Sequence, residues 1–231
     1  MNQLHQLRNY IFLALAFFGC ATTTVTAQSF GVRVGLNATD AKIDVSEQEI
    51  DTDGETNLML GIFANLPIGT NLISIQPELN YLNRGYSYDF GAAVAGQRIE
   101  YSRTLAYVDL GAILRLNFGT EDGLGFYVGA GPQYSYAVSG SLTETTVNDE
   151  NERDVDFDSD RINRGELQFA AIAGLSYDLG IRVFIEGRYN GSFSDQSDNG
   201  LTGLITTGTA DTDVRQRFLG LNAGVMVPLG R

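Results

Sequence analysis

Residues 72–88 read LISIQPELNYLNRGYSY, and from Ile73 to Tyr81 apolar and polar side chains alternate strictly. Successive side chains of a β-strand point to opposite faces. One face of this stretch is therefore apolar, and the other is polar and carries the carboxylate of Glu78. The stretch predicts a β-strand that separates an apolar environment from a polar one.

Seven further segments repeat this alternation, which gives eight predicted strands. Their approximate ranges are 29–37, 57–67, 72–83, 100–118, 126–138, 167–177, 182–189 and 219–227. The connections alternate between long ones (38–57, 84–99, 141–165 and 192–214) and short turns (67–71, 119–123 and 178–180). This pattern predicts an all-β fold, an eight-stranded antiparallel up-and-down transmembrane β-barrel with tight periplasmic turns and extended external loops. Proline cannot donate to a β-ladder, so we also expect bulges at Pro77 and Pro132.

Alternation alone leaves open which face is outside, because a soluble lipocalin-like barrel would bury the apolar face. Each predicted strand contributes one set of alternating apolar residues, and these eight sets include no charged residue. One Arg or Lys facing the middle of a bilayer would cost about 2–4 kcal/mol. Aromatic side chains lie near the ends of these sets, as in membrane-interface girdles. They are Tyr81, Tyr136 and Tyr189 towards the loops, and Phe126 and Tyr177 towards the turns. The polar face is rich in glycine and carries both charge signs, as expected of a narrow, filled barrel interior.

Residues 1–27 have the pattern of a cleaved secretory signal peptide. An apolar run at 10–18 follows a segment with one positive charge, and Val25-Thr26-Ala27 is a cleavage site. An alternative is lipoprotein processing at Cys20. Cleavage after Ala27 leaves one barrel domain, residues 28–231, exported to the cell outer membrane.

Cys20 and His5 are the only cysteine and histidine of the chain. The predicted mature segment therefore contains neither, which excludes a disulfide, a Ser-His-Asp triad, a Cys-His pair and imidazole-ligated zinc. We expect a protein that is not an enzyme and needs no cofactor.

The predicted mature segment has 28 acidic and 14 basic residues, and the excess negative charge lies in the predicted loops. Such an acidic surface repels nucleic acid. The expected partners are outer-membrane lipid and lipopolysaccharide, with an envelope protein as a further partner. Asp51, Asp53 and Glu55 alternate around Gly54 like part of a calcium loop, but the distal glutamate is missing. We expect a solvated acidic loop here, with a metal site as the weaker alternative.

We assign seven charged residues of the predicted strands to the polar, lumenal face. They are Arg33, Glu78, Asp109, Arg115, Arg182, Glu186 and Arg188. An ion path or an active site is one interpretation. A structural ion-pair network that fills the lumen is favoured, because buried charges persist when they are paired and no histidine titrates near neutrality.

Four motifs resemble the outer-membrane β-barrel domain family common in Bacteroidetes, which includes PorT-like proteins and has the OmpA/OmpX-type eight-stranded barrel. They are FGVRVGLN at 30–37, IQPELNY at 75–81, YVGAGP at 127–132 and EGRYN at 186–190. The resemblance covers residues 28–231 and implies the fold, an outer-membrane location and no catalytic residues that carry over. A role in a secretion system follows by analogy only.

Three functions stay open at this point. The first is a non-enzymatic outer-membrane barrel whose acidic external loops serve envelope structure or surface binding. The second is a small pore or a secretion- or transport-associated, PorT-like component. The third is a soluble lipocalin-like barrel that binds an apolar ligand.

Overall fold

The computed structural model describes residues 29–45, 48–50, 53–94, 97–119, 123–146, 149–157, 163–193, 196–197 and 212–229. The predicted signal peptide, with Cys20, lies outside these residues. Eight long strands make up most of the described chain: β1 (Ser29–Val45), β3 (Asp53–Ile68), β4 (Thr70–Val94), β5 (Gln97–Gly119), β6 (Leu124–Thr146), β8 (Gly165–Asp178), β9 (Arg182–Ser192) and β11 (Thr212–Pro228). Three short strands, β2 (Gln48–Ile50), β7 (Glu150–Asp154) and β10 (Gln196–Ser197), pair with their ends.

The long strands pair antiparallel in the order β1-β3-β4-β5-β6-β8-β9-β11. β11 then pairs with β1 from Ser29 opposite Pro228 to Val45 opposite Thr212. The sheet is therefore closed, which confirms the predicted eight-stranded antiparallel barrel and removes the exposed edges of an open sheet. Within the described ranges, no helix has the length and hydropathy of a membrane span.

The apolar face of the barrel points outwards and the polar face points inwards. Leu58, Leu114 and Leu221 are 57%, 54% and 69% exposed, whereas Glu78 and Arg188 are buried. This is the reverse of the arrangement expected for a soluble lipocalin-like barrel. It matches a barrel whose outer surface is solvated by lipid.

Short turns gather at one end of the barrel, here called the turn end, together with Ser29 and Pro228. Gly69 and Gly180 occupy these turns with φ angles of 70° and 91°, a backbone conformation that favours glycine. In the turn between β8 and β9, the Gly180 N–H donates to Asp178 Oδ1 at 2.7 Å. The opposite end carries the longer connections and is here called the hairpin end.

Three of the long connections, 38–57, 84–99 and 141–165, differ from the prediction, because much of each one continues the strands. β1 runs on to Val45, β4 to Val94 and β6 to Thr146. The alternation of hydrophobicity stops where the apolar outer surface stops, but backbone hydrogen bonds continue the ladder through polar residues. The predicted loop 84–99 is thus largely a β-hairpin, and Arg84 belongs to a strand.

The predicted bulges at Pro77 and Pro132 are not found. Pro77 lies opposite Ala112, and Pro132 lies opposite Phe169, with no register shift at either position. Each proline lacks a paired residue on its second neighbouring strand, which is β3 for Pro77 and β5 for Pro132. A proline can therefore interrupt one ladder without an inserted residue. A register shift lies instead beside Ala106 and Tyr107.

Candidate functional site in the barrel lumen

Four buried charged side chains meet in the lumen, and we call them the central cluster: Arg33 of β1, Glu78 of β4, and Glu186 and Arg188 of β9. Glu78 accepts from Arg33 Nη2 at 2.5 Å and from Arg188 Nη1 and Nη2 at 2.7 Å each. Arg33 Nη1 also donates to Glu186 Oε1 at 2.9 Å. The cluster has two positive and two negative charges, so it is neutral and links strands that are distant in the barrel wall.

Neutral side chains complete the hydrogen bonds around this cluster. Gln76 Nε2 donates to Glu78 Oε2 at 3.1 Å, and Arg33 Nε donates to Asn80 Oδ1 at 3.0 Å. The Tyr127 hydroxyl donates to Glu186 Oε2 at 3.1 Å. A buried carboxylate is stabilised when its lone pairs are occupied in this way, so the contacts fit a permanent structural network.

A second group, here called the upper cluster, lies towards the hairpin end and consists of Arg84, Asp109 and Glu166. Arg84 Nη2 pairs with Asp109 Oδ2 at 2.5 Å, and Arg84 Nη1 lies 3.7 Å from Glu166 Oε2. The Arg84 guanidinium also lies over the rings of Tyr107 and Phe218, at 4.5 and 4.9 Å from their centroids. The cluster therefore holds two carboxyl groups around one guanidinium.

The sequence pattern did not single out Arg84 and Glu166, because both were assigned to loops or their borders. Strand parity is the signal that finds them. Arg84 is an even number of residues from Glu78, and Glu166 is two residues from Gln168, so each shares the inward face of its strand.

Arg115 and Arg182 differ from the other predicted lumenal charges. Arg115 is buried, but it donates to neutral oxygens, Gln76 Oε1 at 3.0 Å and Asn117 Oδ1 at 2.6 Å, and it stacks 3.5 Å from the Tyr127 ring centroid. Arg182 lies at the turn end, 3.7 Å from Asp178, with 31% of its side chain exposed. β9 begins at Arg182, so this side chain lies at the turn end and belongs to neither buried cluster.

Apolar side chains fill the lumen on both sides of the charged clusters. At the turn end Phe63, Phe184 and Met226 pack together, and the rings of Phe63 and Phe184 meet edge to face at 5.5 Å. At the hairpin end a larger set, here called the mouth cluster, comprises Met59, Leu82, Leu105, Tyr107, Ala137, Phe157 and Phe218. The interior is thus a packed core rather than an open channel.

The weak calcium-loop hypothesis concerned Asp51, Asp53 and Glu55, of which Asp51 lies outside the described residues. Glu55 is engaged with neighbouring hydroxyl groups. Its Oε1 accepts from Ser102 at 2.8 Å, and its Oε2 accepts from Thr104 at 3.0 Å. In the part of the chain that the structure describes, no group of three metal-ligating side chains comes together.

The predicted interface aromatics all lie on the outer surface of the barrel. Tyr81 and Tyr136 flank Val108 in one row across β4, β5 and β6, towards the hairpin end. Phe126 stacks on Phe118 at 6.0 Å near the turn end. Tyr177 and Tyr189 are exposed as well. Their contact with a membrane interface stays a prediction.

The closed wall, the apolar exterior and the paired charges inside define an outer-membrane β-barrel of the small, OmpA/OmpX type. The model of the outer membrane protein beta-barrel domain family matches residues 26–198, which is more than half of the chain. The chain therefore belongs to this family, and its location is the outer membrane.

Several solved structures are similar to the chain at low sequence identity. OprG from Pseudomonas aeruginosa is 13% identical with a TM-score of 0.45, over 87% of this chain and 97% of OprG. Neisserial surface protein A is 16% identical with a TM-score of 0.41, over 86% and 96% of the two chains. The outer membrane protease OmpT from Escherichia coli is 9% identical with a TM-score of 0.30, over 89% and 98%. No curated protein sequence matches the chain.

Proposed function

We propose that this protein is a non-enzymatic outer-membrane β-barrel that serves envelope structure or surface binding through its acidic hairpins. The observation that supports the proposal is the filled lumen, in which the central cluster is neutral and its charges are paired. Its carboxylates accept hydrogen bonds from arginines and are committed to structure. The surface that stays available to partners is the hairpin end.

The hairpin formed by β6 and β7 is rich in exposed carboxylates. β7 projects from β6, and Glu150, Glu152 and Asp154 are all exposed on it. Charged groups on such a surface steer association with partners of opposite charge. The proposed partners are outer-membrane lipid and lipopolysaccharide, whose anionic groups divalent cations would bridge to these carboxylates, and a basic envelope protein.

Export would use the signal peptide over residues 1–27, with cleavage after Ala27. The resemblance to the Bacteroidetes family supports a second candidate, a PorT-like component associated with secretion or transport. The packed lumen weighs against a pore for small solutes, so this candidate would act by contact with other proteins.

Protease treatment of intact cells, followed by peptide mapping, tests the proposal. We expect cuts within 38–57, 84–99, 141–165 and 192–214, because these segments contain the connections at the hairpin end. Lysed cells serve as the control and should add cuts at the short turns. Protection of all four segments in intact cells, with cutting after lysis, would contradict the surface role.

A further inference from the structure

Phe157 follows β7 in the chain but lies inside the barrel. It is only 5% exposed, although the adjacent strand residues from Glu150 to Asp154 are all exposed. The other members of the mouth cluster come from five strands, β3, β4, β5, β6 and β11. A side chain from an outer hairpin thus belongs to the packed interior.

Contacts outside the barrel ladder hold this segment in place. The Val155 N–H donates to the Gly140 carbonyl at 2.9 Å, and the Ala137 N–H donates to the Arg164 carbonyl at 2.8 Å. The Arg164 guanidinium lies 4.1 Å above the centre of the Phe157 ring. β7 ends at Asp154 and β8 begins at Gly165, so Phe157 belongs to none of the long strands.

The upper cluster lies directly beneath this apolar layer. Arg84 packs against Tyr107 and Phe218, which are both members of the mouth cluster. Ser135 accepts from Arg84 Nη2 at 3.2 Å and has no exposed surface. Phe157 is therefore part of the apolar layer that separates the buried upper cluster from the solvent at the hairpin end.

We propose that Val155 and Phe157 form an internal plug that closes the hairpin-end mouth of the barrel and can be displaced. Displacement admits water to the upper cluster, because the polar groups of Arg84, Asp109 and Ser135 lie directly beneath the mouth cluster. This proposal holds whichever partner the acidic hairpins bind. A partner that binds the β6–β7 hairpin would contact the segment that carries the plug.

Thiol accessibility in the full-length chain tests the plug. Cys20→Ser removes the only native thiol, and Ser135→Cys places a reporter beside Arg84, beneath the mouth cluster. In proteoliposomes, Phe157→Ala should raise the rate of labelling by a membrane-impermeant maleimide on the order of tenfold, because local opening sets the access of a buried group. Phe193→Ala truncates an aromatic residue that is 65% exposed and should leave the rate unchanged. Equal rates with and without the Phe157→Ala substitution, or fast labelling of the parent, would overturn the proposal.

A second measurement needs no cavity in the mouth cluster. Phe157→Cys and Asp154→Cys, each combined with Cys20→Ser, place the thiol on the plug and on the exposed strand before it. We expect Phe157→Cys to be labelled on the order of tenfold more slowly than Asp154→Cys. Equal rates would show that residue 157 does not occupy the barrel mouth, and would overturn the plug.

Discussion

At the scale of single residues, Glu78 pairs with two buried arginines in the lumen. Its two oxygens accept from Arg33 and Arg188, and Gln76 and Asn80 add neutral contacts at 3.1 and 3.4 Å. Removing one partner from a buried ion pair leaves an uncompensated charge, which costs far more than losing an exposed pair.

Glu78→Gln keeps the shape of the side chain but leaves two buried guanidiniums to share Glu186. We expect a loss of about 3–5 kcal/mol in the free energy of unfolding. Denaturant titration of the barrel in detergent micelles measures it. Glu150→Gln, at an exposed position of β7, is the matched control and should leave the midpoint where it is. An unchanged midpoint for Glu78→Gln would mean that water rather than protein solvates these arginines.

At the scale of elements, each long strand presents apolar side chains on its outer face and a different set of side chains to the packed interior. Leu114 on β5 is 54% exposed on the outer face, between the inward-facing Ile113 and Arg115, which are buried. The energetic role of such a residue is set by the depth of its position in the bilayer.

Leu114→Arg places a charge on this lipid-facing surface and should cost about 2–4 kcal/mol in lipid bilayers. Reversible unfolding from vesicles measures the cost. Leu179→Arg, in the short turn before β9, is the control and should cost far less, because an arginine there reaches water. Equal costs at the two positions would show that β5 does not cross the bilayer centre.

The short turns have their own requirement at the element scale. Gly180 has a φ of 91°, which a side chain makes unfavourable. Gly180→Ala should therefore destabilise the barrel by about 1–2 kcal/mol. Gly187→Ala is the control, because its added Cβ would lie 3.8 Å from the Ala173 carbonyl oxygen, an ordinary contact. Denaturant midpoints that move equally for both variants would contradict a role for the turn conformation.

At the scale of the whole molecule, three packed layers lie across the lumen: the turn-end apolar cluster, the charged clusters and the mouth cluster. The barrel closes on itself, so side chains from all strands converge on this small volume. The architecture therefore stabilises a sealed barrel and leaves the hairpin end as the surface for interaction.

The sealed lumen predicts that the purified protein gives no channel events in planar bilayers above those of a protein-free bilayer. Phe157→Ala should behave in the same way, because it opens only the outermost layer and leaves the central cluster intact. Protein unfolded before addition is the control for detergent artefacts. Steady conductance steps from the native protein would contradict the packed lumen and would support the pore hypothesis instead.

The sequence by itself determined that there are eight strands, that long and short connections alternate between them, and which side chains of each predicted strand share a face. Glu78 and Arg188 could be placed in the lumen because a strand has a period of two and membrane strands keep charge off one face. Only the tertiary structure decided which charges meet. Arg33, Glu78 and Arg188 come together across the barrel, Arg182 lies apart at the turn end, and Arg84, Glu166 and Phe157 enter from segments assigned to loops or their borders. The physical reason is that alternation is a local property of the chain, whereas ion pairs and the packed mouth depend on the closure of the sheet.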